Sequence, residues 1–533
     1  MRKFGVICFM IAMAFAVACE GKDESVATSM ADPSGLAAEQ LDLTTVKLTW
    51  TDNAEGESGY WIFRRSENDN YYVEPLTKLG PDATSYTFSG LTPGAEYDFG
   101  VQALSSDMKY HSKIVYLNDF KVVDYEKMPQ VQTVNSTYAF LAVTYQYNAS
   151  KISGTNPEHG ICFSETGVPT VEDIKVVGPD FPSGKTSLMQ VVPNAVLAAD
   201  KTYKMSVYIR DGEEYVYSEP QTVSLTSQPS EIALSWTKQS YSGITSDVEI
   251  YKTTSSLNGR KFNAWYAIAD PKKVDFKVLN TPTGKANLKT VQAQATAAED
   301  CLVLINGGVF GNYHIGVIFV DGQPQEWVDN VYNNYWAPSG SGKLYNITRP
   351  IIGVDSNGTA AAYWTASPKY GTYYYYTQPM TTVEGEATYK EASETIPAKA
   401  VSWSPVNALS TGPMLLYDGK CCINHTKNTA GNYYTNYECW ALDIYEGNPD
   451  RTAVGITADG KIVLFICDGR ITASQGATHE EVAMIMKNIG CVHAMNLDGG
   501  GSTGMWVNGS GMINYMDGSW RAVKSTLGFF TKK

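Results

Sequence analysis

The chain has 533 residues, of which 41 are Lys or Arg and 55 are Asp or Glu, giving a formal net charge of −14. This length predicts two to four domains, and a composition that is 43% hydrophobic and 18% charged excludes a disordered chain. The acidic balance argues against nucleic-acid binding, which needs an excess of Lys and Arg, and the 35 tyrosines and 46 glycines predict a β-rich, turn-rich extracellular protein.

Residues 1–18 predict a secretory signal peptide, because Arg2 and Lys3 precede a mostly apolar stretch too short to span a bilayer comfortably. Small residues before Cys19 resemble a bacterial lipobox, so we expect Cys19 to carry a lipid; an ordinary signal peptide cut nearby is the alternative. The charged residues that follow resemble the sorting signal of Bacteroidetes-type lipoproteins. The expected location is the outer membrane, facing the periplasm or the cell surface.

The cysteines predict no disulfide scaffold. Of the nine in the sequence, one leaves with the signal and Cys19 takes the lipid, so an odd number remains in an oxidising compartment. Cys439 with Cys421 or Cys422 is the favoured bridge. Cys422 and His425 have metal-ligand chemistry, but no second ligand pair accompanies them, which argues against a zinc site.

A first β-sandwich is predicted after a polar tether, residues 19–33. Apolar residues alternate through Trp50, and a Leu-Thr-Pro-Gly-Ala-Glu-Tyr segment ends at Tyr97, where a second alternating run begins. This pattern over 34–107 resembles a fibronectin type III domain, with Trp50 in its core and Tyr97 as its tyrosine corner.

A second, fainter copy occupies 125–227. Leu197 and Tyr203 repeat the Leu-to-Tyr spacing of the first sandwich, and alternation again follows the tyrosine. Neither sandwich shows a convergent set of acids, bases or metal ligands. Both are therefore interpreted as spacers in preference to ligand-binding modules.

Residues 228–533 predict an α+β domain built on a large, mostly antiparallel or mixed sheet. A helix is expected from Thr478 to Gly490, where apolar residues share one face, and a weaker one from Asn287 to Glu299. Six Asn-Gly or Asp-Gly pairs predict hairpin turns. They are Asn258-Gly259, Asp321-Gly322, Asn357-Gly358, Asp418-Gly419, Asp459-Gly460 and Asp517-Gly518.

The segment Asn496-Leu497-Asp498-Gly499-Gly500-Gly501-Ser502-Thr503 carries the clearest chemical signal. Three successive glycines permit positive φ and close approach of a ligand, and their N–H groups can form an anion-binding nest. Asp498 can act as base, nucleophile or cation ligand. A plain hairpin turn would not need the carboxylate, the glycines and the hydroxyls together.

Three further segments offer groups for a sugar phosphate: Asn306-Gly307-Gly308-Val309-Phe310, Arg451-Thr452 and Asp468-Gly469-Arg470. The first can orient a sugar hydroxyl or a phosphate oxygen. A guanidinium can hold phosphate through two hydrogen bonds, and loops after strands often carry sites. Alone, the first segment is more often a turn, a surface salt bridge is the alternative for Arg451, and the third segment is also consistent with a turn.

The chain resembles the phosphodiester glycosidase family over most of 250–533. The resemblance rests on five segments in this order: Asn306–Phe310, Arg451–Gly455, Asp468–Arg470, the helix residues Glu481-Val482-Ala483, and Asn496–Ser502. The family breaks the glycosidic bond of a sugar–phosphate diester. Two features depart from its pattern: Val309-Phe310 replaces the usual aromatic pair, and the insertion 363–400 is not family-like. Residue 470 varies in type within the family, which makes Arg470 a weaker candidate.

The resemblance implies a role for each matching residue. Asp498 would be nucleophile or general base, Asp468 a second carboxylate that orients an Arg or acts as acid/base, and Glu481 a catalytic candidate better suited to a supporting role. The implied substrate-binding residues are Asn306, Gly307, Arg451, Thr452, Arg470, Asn496, Gly499, Gly500, Gly501 and Ser502. No cofactor is required, although Ca²⁺ could bind the Asp side chains, without EF-hand spacing to support it.

The predicted function is a cell-surface hydrolase that cleaves a sugar-1-phosphodiester, such as a GlcNAc-1-phosphate diester, in a phosphate-containing glycan. The membrane is contacted only through the lipid anchor, and no nucleic acid is bound. A non-catalytic glycan-binding lipoprotein is the alternative, and a glycosidase without phosphate in its substrate is a weaker third option. The Tyr-rich run 370–376 equally suits a glycan-stacking platform or strands with Tyr on both faces.

Overall fold

The computed structural model separates the chain into two compact units, with the boundary between Met128 and Pro129. Cys19 and the predicted signal lie outside the described residues. Within the described part, no helix combines the length and the apolar character needed to cross a membrane. The structure describes residues 30–533 apart from 67–74, 106–109, 137–139, 155, 179–180, 182–185, 194–195, 199–200, 226, 327–330, 334–343, 347, 380–391, 424, 428–432, 436–446 and 516–519.

The first unit is a sandwich of two antiparallel sheets, ordered β1-β2-β5 and β4-β3-β6-β7. Because β7 pairs with β6, the sandwich extends beyond residue 107, where the sequence pattern ended it. The strands are β1 Ser34–Gln40, β2 Val46–Thr51, β3 Glu57–Ser66, β4 Thr77–Leu79, β5 Ser85–Phe88, β6 Glu96–Ser105 and β7 Val115–Lys121.

The two aromatic residues singled out in this sandwich occupy the expected places. Trp50 is buried in the core against Tyr60, with ring centroids 5.6 Å apart. The Tyr97 hydroxyl accepts a hydrogen bond from the Thr92 backbone N–H at 3.0 Å, which is the tyrosine-corner contact.

The second sandwich, at the start of the second unit, repeats that design. Its sheets run β12-β9-β8 and β11-β10-β13-β14, with β15 also paired to β13. The Tyr203 hydroxyl accepts from the Ala198 N–H at 3.1 Å, so this sandwich has the same corner. The strands are β8 Gln130–Ser136, β9 Phe140–Gln146, β10 His159–Ser164, β11 Ile174–Val177, β12 Ser187–Pro193, β13 Thr202–Asp211, β14 Glu214–Tyr217 and β15 Gln221–Ser224.

The second sandwich is joined to the C-terminal domain through a shared hydrophobic core. Ala142, Met189 and Val191 pack in one cluster with core residues of the C-terminal sheets, such as Trp265 and Trp364. An independent spacer would keep its apolar side chains inside its own two sheets. The second sandwich is therefore structurally continuous with the domain that carries the candidate site.

Three antiparallel sheets form the C-terminal domain, and the strand pairings described are all antiparallel. Their orders are β16-β17-β18-β34-β33-β35-β29-β30, β19-β38-β20-β36-β37 and β22-β21-β28-β25-β26-β27, with β23-β24 and β31-β32 as separate pairs. The strands are β16 Thr237–Gln239, β17 Val248–Leu257, β18 Arg260–Ala269, β19 Val274–Asn280, β20 Cys301–Asn306, β21 Ile318–Val320, β22 Gln323–Glu326, β23 Val331–Asn333, β24 Leu344–Asn346, β25 Arg349–Asp355, β26 Ala360–Lys369, β27 Thr372–Tyr376, β28 Pro405–Ser410, β29 Met414–Tyr417, β30 Lys420–Cys421, β31 His425–Lys427, β32 Tyr433–Thr435, β33 Arg451–Thr457, β34 Ile462–Cys467, β35 Cys491–Asn496, β36 Met505–Val507, β37 Gly511–Met512 and β38 Ser525–Thr531.

The turn and helix predictions for this domain are confirmed where the structure describes them. Five of the six Asn-Gly and Asp-Gly pairs connect neighbouring antiparallel strands, and Asp517-Gly518 lies outside the described residues. Helix α2 covers His479–Ile489, with Thr478 as N-cap and Gly490 in the left-handed conformation at its C-terminus. The weaker helix is α1, Val291–Ala297.

The Tyr-rich run 370–376 covers the turn after β26 and the whole of β27, and its side chains face both sides of the sheet. Tyr375 and Tyr376 are buried, and Tyr373 packs edge-on against Phe319. Tyr370 is 66% exposed. The strand interpretation therefore accounts for this run, with Tyr370 the residue left open for stacking on a ligand.

Candidate active site

The candidate residues converge at strand ends where two sheets meet. In the eight-stranded sheet, Arg451 begins β33, Asp468 follows β34 and Asn496 ends β35, all at the same edge. In the five-stranded sheet, Asn306 ends β20. Strands that end together bring loops from distant parts of the sequence into one place.

The end of β20 holds the backbone of Asp498 from both sides. The Asn306 side-chain amide donates to the Asp498 carbonyl at 2.7 Å, and the Asp498 N–H donates to the Gly307 carbonyl at 3.0 Å. The Asn306 side-chain oxygen Oδ1 accepts from the Thr452 hydroxyl at 2.8 Å and from the Gly504 N–H at 3.2 Å. Asn306 and Thr452 are fully buried, so they act as internal clamps; the sequence had assigned them to substrate.

The Asp498 carboxylate is partly buried and hydrogen-bonded at both oxygens. Gly499 N–H donates to Oδ1 at 3.0 Å, and the Ser502 hydroxyl donates to Oδ2 at 2.5 Å. Burial raises the pKa of Asp498 to about 6, while the Ser502 and Gly499 hydrogen bonds and the charge of Arg521 act in the opposite direction. The group is therefore largely ionised at neutral pH but retains proton affinity well above that of an exposed Asp.

Two arginines flank the glycine turn that follows Asp498. Arg521 is exposed and donates to the Ser502 hydroxyl at 3.3 Å, and a Cβ on Gly501 would lie 2.9 Å from its Nη2. On the neighbouring residue, a Cβ on Gly500 would lie 3.0 Å from Arg470 Nη2. A guanidinium group therefore lies against each of these two glycines, and the charge of Arg521 acts on the Asp498 carboxylate.

A buried acid next to Arg451 orients one of these arginines. Asp450 is 4% exposed and accepts a hydrogen bond from Arg470 Nε at 2.9 Å, while the Arg470 side chain is 59% exposed. The Asp450 backbone carbonyl accepts from the Gly500 N–H at 2.9 Å. The sequence analysis missed both Asp450 and Arg521. Asp450 directly precedes a recognised motif, whereas nothing in the local pattern marked Arg521.

Arg451 does not present its guanidinium to the turn, contrary to its predicted role in binding phosphate. It is buried, and its donors reach the carbonyl oxygens of Ala477 and Gly447 and the His479 ring, at 3.0, 3.3 and 2.8 Å. A planar group with several donors suits a site that must satisfy backbone carbonyls at the start of a helix. Arg451 thus fixes β33 to the entry of α2.

Asp468 is a second carboxylate of high pKa, but it does not orient an arginine. Its Oδ1 accepts from the Tyr515 N–H at 3.2 Å, and its buried Oδ2 has no hydrogen-bond partner among the described residues. Burial, with the nearby negative charge of Asp450, raises the pKa of Asp468 to about 7, against hydrogen bonds from Tyr515 and Asn514. The orienting role that the sequence offered Asp468 belongs to Asp450.

Glu481 has a structural role at the N-terminus of α2, which corrects its interpretation as a catalytic candidate. Its carboxylate forms the capping box with Thr478 and accepts hydrogen bonds from Asn258 at 2.6 Å and from Arg260 at 2.7 and 2.8 Å. These partners lower the pKa of Glu481 in spite of its burial. A carboxylate satisfied in this way is poorly suited to accept a proton from substrate.

The remaining predicted binding groups are also largely engaged within the protein. The Asn496 side-chain amide donates to the carbonyls of Leu497 at 2.6 Å and Gly412 at 3.3 Å. The N–H groups of Gly499 and Gly500 bond the Asp498 carboxylate and the Asp450 carbonyl. Two of the three glycine amides assigned to phosphate are thus occupied, so the exposed arginines are the principal donors for an anion.

The possible Ca²⁺ site at the Asp side chains stays a prediction. In the described residues, the group whose acidic atoms approach closely enough to hold an ion is Asp52, Glu57 and Asp82 in the first sandwich. Cys439, one half of the favoured bridge, lies outside the described residues, so its pairing with Cys421 or Cys422 stays a prediction.

Comparisons with known proteins locate two families in the chain. Residues 371–530 match the family model "Phosphodiester glycosidase", and residues 31–115 match "Fibronectin type III domain". The chain therefore carries a phosphodiester glycosidase domain at its C-terminus. The match includes 371–400, part of the insertion that the sequence analysis had set outside the family. It does not include Asn306, which the structure nevertheless places on Asp498.

The similar proteins are distant or matched over short segments. The SPbeta prophage-derived uncharacterized protein YomE of Bacillus subtilis (strain 168) is 40% identical over 88 residues, which are 16% of this chain and 13% of that protein. Mouse N-acetylglucosamine-1-phosphodiester alpha-N-acetylglucosaminidase is 38% identical over 76 residues, 13% of this chain and 14% of that protein. The catalytic domain of the zebrafish enzyme of that name, auto-inhibited by its pro-peptide, is 21% identical, with a TM-score of 0.36 over 56% of this chain and 89% of its own.

Proposed function

We propose that the C-terminal domain hydrolyses the glycosidic bond of a sugar-1-phosphodiester, such as a GlcNAc-1-phosphate diester in a phosphate-containing glycan. One observation carries the proposal: a carboxylate of raised pKa, Asp498, adjoins a glycine turn flanked by the exposed guanidinium groups of Arg470 and Arg521. This arrangement pairs a base or nucleophile with donors that match phosphate geometry.

In the proposed reaction, the two arginines act on the phosphate and Asp498 acts at the sugar carbon C1. Arg470 and Arg521 hold the phosphodiester and stabilise the negative charge that it gains when the bond from C1 to the bridging oxygen breaks. The phosphate leaves with the bonding electrons, and its acidity makes a strong general acid less necessary than for an ordinary glycoside.

Asp498 can bring water to C1 in one of two ways. As a base it removes a proton from the water that bonds to C1, and the anomeric configuration inverts. As a nucleophile it bonds to C1 first, and water then releases the sugar with retention. The anomer of the released sugar distinguishes these routes.

The cellular setting follows from the N-terminal sequence and is part of the same proposal. A lipid on Cys19 would anchor the chain at the outer membrane, facing the periplasm or the cell surface. In the order of the chain, the polar tether and the first sandwich follow Cys19 and precede the second unit. The proposed chemistry requires no cofactor.

The proposal is tested by incubating the purified full chain with UDP-GlcNAc and a panel of synthetic sugar-1-phosphate diesters. We expect the wild type to release free sugar. Asp498→Asn should lower the rate of release by a factor of about 10³ or more, because the new amide cannot act as base or nucleophile. Gly311→Ala is the matched control, since a Cβ there meets no other atom within 4 Å. Glycan binding by both wild type and Asp498→Asn, without turnover of any diester, would instead support the binding lipoprotein.

A further inference from the structure

Asp450 joins three parts of the candidate site through separate atoms. Its carboxylate accepts from Arg470 Nε, its backbone carbonyl accepts from Gly500, and its negative charge acts on Asp468. It is 4% exposed, whereas the Arg470 side chain that it holds is 59% exposed. A buried anion therefore fixes one edge of an otherwise solvent-facing cation.

The backbone at Arg470 shows that this arginine is held in an unfavourable conformation. Its φ is +57°, in the left-handed region. Among the described non-glycine residues with positive φ, the others are all Asp or Asn, the types that tolerate this region best. Because Arg gains nothing locally from this conformation, its side chain is the feature that the position requires.

We infer that Asp450 is a positioning residue that sets Arg470 for the phosphate of the substrate, a step that rests on the proposed function. By occupying Nε, Asp450 directs the terminal Nη groups over Gly500, where Nη2 already lies. A single anchored edge leaves the other edge of the guanidinium for two phosphate oxygens. Arg521, which bonds Ser502, then contacts the substrate from the side of Asp498.

The same geometry explains why Asp450 itself does not contact the substrate. Its carboxylate is buried behind Arg470, and an anion placed directly against a phosphodiester would repel it. Paired with a guanidinium, the charge instead restrains a long side chain before substrate arrives. Such preorganisation lowers the entropy cost of binding, so it acts mainly on KM.

A double-mutant cycle tests this coupling. Asp450→Asn keeps the shape of the side chain and should raise KM for the sugar-1-phosphodiester about tenfold, with kcat changed less than twofold. Arg470→Ala should raise KM by at least as much. In the Arg470→Ala background, Asp450→Asn should add less than twofold, because its partner is already absent. An independent, multiplicative effect, or a loss of kcat at unchanged KM, would overturn the inference.

Kinetics of Arg470→Lys and binding of inorganic phosphate test the role of Asp450 in two further ways. Arg470→Lys retains a positive charge but cannot offer an Nε and a planar pair of Nη groups together, so it should also raise KM and also remove the effect of Asp450→Asn. Binding of inorganic phosphate to the full chain, followed by calorimetry, needs no turnover and should weaken about tenfold in Asp450→Asn. If no diester is hydrolysed, the proposed function fails, but the phosphate-binding measurement still tests the role of Asp450. Equal phosphate affinity in wild type and Asp450→Asn would refute the positioning role.

Discussion

Gly501→Ala separates the function of Arg521 from the stability of the fold. The new Cβ would lie 2.9 Å from Arg521 Nη2 and 3.2 Å from its Cζ, so the guanidinium must move away from the turn. It would also lose the 3.3 Å hydrogen bond to Ser502. Because the displaced atoms end a flexible, exposed side chain, we expect the free energy of unfolding to change by less than about 0.5 kcal/mol.

The expected loss in catalysis is much larger. A charge-assisted hydrogen bond is worth about 1.5–3 kcal/mol, so moving Arg521 should lower kcat/KM for a sugar-1-phosphodiester by a factor of about 10–100. Steady-state hydrolysis and urea unfolding are measured on Gly501→Ala, Arg521→Ala and the double variant, with Gly311→Ala as control. Wild-type kcat/KM in Gly501→Ala, or a double variant showing the product of the single effects, would refute the reasoning.

Three other residues give distinct predictions. Because the pKa of Asp498 is raised from 3.8 to about 6, kcat/KM should fall below about pH 6. Ionisation of this group in the folded state is costly, so Asp498→Asn should be more stable than wild type above about pH 6, by about 1–3 kcal/mol, with the difference vanishing near pH 4 in urea unfolding series. Asn306→Ala would leave buried partners on Thr452, Gly504 and Asp498 unsatisfied and should cost about 2–4 kcal/mol of unfolding free energy; no measurable cost would contradict its clamp role. Arg451→Lys should destabilise by about 2–4 kcal/mol while KM of the folded fraction stays within about twofold, and a large rise in KM at unchanged stability would restore its predicted contact with phosphate.

Local sequence patterns predicted the architecture well, because its turns, helix caps and tyrosine corners are formed by residues close together in the sequence. The turn Asn258-Gly259 has φ values of +49° and +81°, which Asn and Gly adopt readily, and Thr478 with Glu481 caps a helix within one turn of chain. Tyr97 and Tyr203 each reach a backbone N–H only five residues away. The shared core of the second sandwich was not predictable in this way, because Met189 and Trp265 are distant in sequence.

In the candidate site, most side-chain partners could not be predicted from local sequence. The segment around Asp498 was identified from its own residues, since a carboxylate and three glycines have few other uses together. The partners of a long, charged side chain depend on tertiary packing. Arg451 turns inward to carbonyl groups, whereas Arg521, with no recognisable motif, reaches Ser502. A sequence shows that a chain has guanidinium groups, but the buried acid Asp450 decides which one is oriented at the turn.

The central claim concerns which bond breaks, and ¹⁸O-labelled water tests it most directly. The full chain is incubated with a sugar-1-phosphodiester in H₂¹⁸O, and both products are analysed by mass spectrometry. If water attacks C1 as proposed for Asp498, the label enters the anomeric hydroxyl of the released sugar and the phosphate contains none. Label in the phosphate would show cleavage of the P–O bond and would contradict a glycosidase.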